Sequence, residues 1–153
     1  MRSLAAIVFA LAACGQVEAP VSEHAEALRV ENAWAAPTPS GVDVSAGYLT
    51  VVNGASTADA LVAVSTPRAQ RVEIHEMRMD GSVMHMRAVS RLDITAGRSV
   101  SLAPGGRHLM FIGVTQPFVE GETIPVRLSF ERAGEIDVSL PVRSAGATHT
   151  GGH

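Results

Sequence analysis

Between residues 28 and 142 the chain is a series of short apolar or alternating runs separated by Gly, Pro, Asn and Asp. The runs are Leu28 to Trp34, Gly47 to Val52, Ala60 to Ser65, Arg71 to Met79, Ser82 to Val89, Ser99 to Leu102, His108 to Val114, Thr123 to Glu131 and Glu135 to Val142. About nine short strands at this spacing predict an all-β antiparallel sandwich or barrel, and no stretch has the period of a long amphipathic helix. Asp80-Gly81 lies between two of the runs and favours a two-residue hairpin loop. With those two residues as the loop, Met79 faces Ser82, Met77 faces Met84 and His75 faces Met86. Val72 and Ile74 alternate with Arg71 and Glu73, and Leu109 and Phe111 alternate with His108 and Met110. Both pairs, His75 with Met77 and His108 with Met110, should therefore stand off the core, near the surface.

The flanks differ from this body. Residues 1 to 13, MRSLAAIVFALAA, set one arginine before a small, apolar run, the layout of a secretory signal. The run is shorter than the roughly 20 residues a membrane-spanning helix needs. It ends in Leu11-Ala12-Ala13-Cys14-Gly15, which resembles a bacterial lipobox, so Cys14 is the expected acylation site and a lipid anchor to a membrane the expected consequence. Residues 14 to 27 suit a flexible linker, residues 28 to 142 a single domain, and residues 143 to 153 a mobile tail carrying His149 and His153. Export, and hence a location outside the cytoplasm, is expected from the signal with or without the lipid anchor.

Charge changes this picture little. Twelve basic residues, all arginine, stand against 15 acidic ones for a net charge of −3. No clustered basic face is evident, which excludes nucleic acid as the expected partner. Cys14 is the only cysteine, so the domain has no internal disulfide and no thiolate.

The candidate chemistry lies in methionine and histidine. Four of the five methionines after the initiator (Met77, Met79, Met84, Met86) fall within residues 77 to 86, and the fifth is in His108-Leu109-Met110. Opposed residues of a hairpin have Cβ atoms about 5 Å apart, so His75 and Met86 can share a ligand, with His108 and Met110 on a neighbouring strand. Thioethers with imidazoles favour Cu(I), whereas calcium and magnesium require oxygen donors and zinc prefers thiolate, imidazole or carboxylate.

His75, ten intervening residues, Met86, twenty-one more, and then His108-Leu109-Met110 resembles the H-x10-M-x21-H-x-M signature of the PCu(A)C family of periplasmic copper chaperones. The likeness extends through Ala33-Trp34-Ala35, Gly47-Tyr48-Leu49, Val72 to Met77, Met79-Asp80-Gly81, Leu102 to Gly106 and Gly121-Glu122, roughly residues 28 to 142. The resemblance implies a cupredoxin-like Greek-key β-barrel and one Cu(I) on His75, Met86, His108 and Met110. It also implies delivery of copper to the CuA site of cytochrome c oxidase, often beside Sco-type thiol proteins.

Met77, Met79 and Met84 are read either as alternative ligands during transfer or, preferably, as an apolar shield. His85 faces away from Met86 by alternation and reads as a surface residue, and His24 as inert. Trp34 is expected in the core. His149 and His153 can capture Cu(II), which imidazole suits. An electron-transfer copper protein would need a cysteine ligand that the domain lacks, an enzyme would need a catalytic set that Glu73, Glu76 and Asp80 do not form, and general copper buffering or resistance is the alternative to delivery.

Overall fold

The computed structural model describes residues 27–146. Cys14, His24, His149 and His153 lie outside them. The described chain forms ten strands: β1 (Leu28–Ala35), β2 (Val44–Asn53), β3 (Asp59–Ser65), β4 (Ala69–Asp80), β5 (Val83–Val89), β6 (Leu92–Ile94), β7 (Ser99–Leu102), β8 (His108–Val114), β9 (Thr123–Phe130) and β10 (Gly134–Pro141). The all-β expectation holds. The strand it lacked is β6, whose three residues Leu92-Asp93-Ile94 are too few to show an alternation.

One sheet runs β1-β2-β8-β4-β5, with β7 against β2, and the other runs β10-β9-β3-β6; the named strand pairs are antiparallel. Alternation explains the layering. On β9, Ile124, Val126, Leu128 and Phe130 are buried while Thr123, Pro125 and Arg127 are exposed. On β8, Leu109 and Phe111 are fully buried and meet Leu49, Leu61, Phe118 and Leu140 in the core cluster. Fully burying one such side chain contributes roughly 1.5–3 kcal/mol, so this cluster dominates stability. Gly47 is required here: a Cβ on it would lie 2.7 Å from Phe111 Cε2, so β2 can cross the phenyl ring only without a side chain.

β7 and β8 both pair antiparallel with β2, β7 along Leu49–Val52 and β8 along Val44–Gly47. They therefore run in the same direction along one edge of β2, separated by the excursion through Ala103 to Arg107. That excursion is closed by the Ala103 N–H donating to the Arg107 carbonyl at 2.8 Å. His108 is the first residue after it.

Trp34 is buried, as expected of a core residue, and a local irregularity of β1 decides what it packs against. Asn32 has a φ of 52° and the register slips by one residue between Glu31 and Trp34, a β-bulge that sets Trp34 opposite Tyr48. The indole is buried, but it stacks on Tyr48 at 4.5 Å between centroids, beneath the Arg143 guanidinium at 4.7 Å, and does not join the cluster between the sheets.

Candidate metal centre

β4 crosses two environments. Its residues from Ala69 to His75 pair with β8, and those from Ile74 to Asp80 pair with β5. His75 stands at the changeover, directly opposite His108 on one side and Ala88 on the other. This corrects the expected hairpin. The loop is Gly81-Ser82, not Asp80-Gly81, so Met77 opposes Met86, Met79 opposes Met84, and His75 does not oppose Met86. The reason is turn chemistry. Gly81 has a φ of +63° and Ser82 a negative one, the pattern of a II′ turn, which places glycine first of the two loop residues. A slip of two residues leaves every side chain on its original face, so Met86 still shares a face with His75.

On that face the two imidazoles lie together, with ring centroids 5.6 Å apart and planes at 55°. Met110 is two residues along β8 from His108, opposite Glu73, and so stands diagonally from His75. Met86 stands diagonally from His75 on the other side, across from Met77. Diagonal neighbours are about 7–8 Å apart at their backbones, within reach of a flexible methionine. The structure thus brings the two histidines together and puts a thioether to either side, and Met77 is as close to His75 along its own strand as Met86 is across the hairpin. His85 faces the other side with Arg78, its cross-strand partner, as expected.

The rings are less open than the sequence suggests. His108 is 7% exposed and the His75 side chain 14%, whereas Met86 is 50% exposed. Both histidines leave the sheet's inner core yet are covered.

Hydrogen bonds fix what each ring offers. His108 Nδ1 lies 3.2 Å from the Gly106 carbonyl, which only accepts, so Nδ1 carries the proton and Nε2 keeps a lone pair. His75 Nε2 donates to Glu73 Oε2 at 2.8 Å, and its Nδ1 is buried without a partner among the described residues. A buried lone pair left unmatched is costly, and a ligand removes the cost. Glu73 is itself held by Arg71 at 2.9 Å. Its hydrogen bonds to His75 first, and to Arg71 second, hold its carboxyl below the usual carboxylate range, so it is ionised at neutral pH. An anionic carboxylate behind a ligating histidine is the usual outer support of a metal site, since it orients the ring and raises its basicity.

Glu73 and the Gly106 carbonyl are the site's supports that the sequence reading missed. The first was accessible, because Glu73 is two residues before His75 on the same strand face. The second was not, because it depends on the path of the excursion before β8. Glu76, on the opposite face, pairs with Arg87 on β5 and Arg107 before β8, tying the hairpin to the excursion at 3.2 and 2.9 Å. Among the described residues no three His, Cys, Asp or Glu side chains form a metal-holding group, and the side chains that share the face of the two imidazoles include the thioethers of Met77, Met86 and Met110.

Residues 28–142 match the family described as "Putative lipoprotein LpqE-like". "Putative lipoprotein Lxx21020" of Leifsonia xyli subsp. xyli is 31% identical over 147 residues, covering 92% of this chain and 87% of its own length. The fold is similar to that of the copper-bound PCuAC domain from PmoF2, with a TM-score of 0.67 and 23% identity over 77% of this chain and 93% of that domain. It is also similar to Cu(I)-DR1885 from Deinococcus radiodurans, with a TM-score of 0.60 and 27% identity over 82% of this chain and 87% of that one. The architecture is therefore cupredoxin-like, of the kind found in PCuAC domains.

Proposed function

We propose that this chain, which belongs to the LpqE-like lipoprotein family, is an extracytoplasmic Cu(I) carrier that holds one ion on His75, His108, Met110 and Met86 and passes it to a respiratory oxidase. The observation that carries the reading is the paired imidazoles, one presenting an orphaned buried Nδ1 and the other a free Nε2 across a 5.6 Å centroid separation. The donor set adds to it, because imidazole with thioether suits Cu(I). A Cu(I)-bound protein of the same fold at 27% identity supports copper as the cargo. Residues 1 to 14, with their signal-like run ending at Cys14, support anchoring outside the cytoplasm, in keeping with the lipoprotein relative.

A carrier, not an enzyme, fits these donors. Thioethers are weak, individually exchangeable ligands, and Met86 is half exposed, so a partner's ligands can displace it first while the buried imidazoles still hold the ion. Residues 71 to 79 supply a single nearby carboxylate to the rings, Glu73, and it is already engaged by His75 and Arg71. The recipient proposed is the CuA site of cytochrome c oxidase, directly or through a Sco-type thiol protein.

Competition of the full chain against a chromophoric Cu(I) chelator tests binding. One ion per chain is expected, with affinity lost in His75→Ala and His108→Ala, and unchanged affinity in both variants contradicts the site. Deletion of the gene tests delivery: oxidase activity should fall and recover with added copper, and full activity without the gene contradicts that recipient.

A further inference from the structure

Three of the four methionines of the hairpin, Met77, Met79 and Met84, are not accounted for by one ion held on His75, His108, Met110 and Met86. Met77 opposes Met86 and Met79 opposes Met84, so two successive thioether pairs run on one face from His75 to the turn at Gly81-Ser82. Packing does not explain the two nearest the turn, Met79 and Met84. Met79, Met84 and Met86 are 58%, 55% and 50% exposed, and β5 is exposed at every residue but Val89. A packed apolar residue would itself be covered, and at the tip Met79 and Met84 are not.

The faces are also segregated. By strand alternation the face of His75 carries Met77, Met79, Met84, Met86 and Ala88 along the hairpin, while Glu76, Arg78, Asp80, His85 and Arg87 take the other. No charged side chain interrupts the thioethers between the histidines and the tip.

From this arrangement we infer that Met79 and Met84 form a second, weaker Cu(I) site at the exposed tip of the hairpin, from which the ion moves along Met77 and Met86 to the histidine pair. Directly opposed residues have Cβ atoms about 4.5–5.5 Å apart, which lets two flexible thioethers close on one soft ion. The step is ligand exchange only. Cu(I) stays Cu(I), and each thioether bond that forms at the inner pair replaces one broken at the outer pair. Thioethers without imidazole bind more weakly, which sets the direction toward His75 and His108. This extends the carrier reading of the same face, although binding at the tip needs neither histidine.

The test is titration of the full chain with Ag(I), a redox-inert soft substitute for Cu(I), read by the methyl resonances of 13C-labelled methionine. The first equivalent should shift Met110 and Met86, and the second should shift Met79 and Met84. The double variant Met79→Leu and Met84→Leu, apolar and of similar size, should keep the first equivalent and lose the second. His75→Ala should lose the tight equivalent and keep the response of Met79 and Met84. Unmoved Met79 and Met84 methyls in wild type and His75→Ala overturn the tip site, as does a second equivalent that persists in the double leucine variant. Loss of the tight equivalent from wild type with the tip response intact would instead contradict the histidine site alone.

Discussion

The two halves of β4 belong to one strand but answer to different forces. From Ala69 to Ile74 it is clamped by β8, and Ile74 is 4% exposed in the core cluster. From Met77 to Asp80 it pairs only with β5, and from Arg78 on it is exposed. Burial fixes the first half and turn chemistry the second. His75 sits at the join, where a ring can be held firmly by Glu73 on one side and still have mobile thioethers on the other. A site for a passing ion benefits from both: rigid imidazoles to define the place, loose sulfurs to let go.

Ile74→Ala should break the contrast most severely. Removing a buried isoleucine costs roughly 2–5 kcal/mol, whereas Met79→Ala at the exposed end should stay within about 0.5 kcal/mol, both read as urea midpoints. Equal losses would mean that the tip is packed after all. His75→Ala should reduce Cu(I) affinity by more than about a hundredfold, because outer supports alone are worth about 10–100-fold. Glu73→Ala should fall within that 10–100-fold range by chelator competition, since the ring loses its orienting acceptor and its fixed tautomer. Comparison of Met86→Leu with Met77→Leu sharpens which thioether serves the histidine pair: a larger loss of affinity is expected for Met86, and the reverse order would give the position to Met77.

The smallest effect lies far from the site, on β9 and β10. Arg127 donates to both carboxylate oxygens of Asp137, at 2.7 and 3.1 Å, and these hydrogen bonds hold the Asp137 carboxyl below its ordinary value. A carboxylate with a depressed folded-state pKa stabilises above its unfolded value and loses that contribution as pH falls through the folded one. Asp137→Asn should therefore lower the urea midpoint slightly at neutral pH and merge with wild type once the pH is well below about 4, the ordinary aspartate range. It should leave copper affinity unchanged.

Much of this was readable from residue order. Strand alternation alone put Leu109 and Phe111 inside and His108 and Met110 on the other face, and the same parity kept Met86 beside His75 despite the wrong loop. Parity survives a two-residue slip, which is why the face was right and the partner wrong. What escaped depended on irregular backbone. The bulge at Asn32 set the buried Trp34 against Tyr48 and Arg143, and the excursion from Ala103 to Arg107 gave His108 its carbonyl partner. A three-residue strand such as β6, with Asp93 at its centre, is too short to leave a pattern.

X-ray absorption at the copper edge, on the full chain loaded with one equivalent of Cu(I), tests the central claim most directly. The account predicts a first shell of two imidazole nitrogens and two thioether sulfurs, with the nitrogen contribution halved in His75→Ala. A shell of sulfur alone, or of nitrogen and oxygen alone, would contradict it.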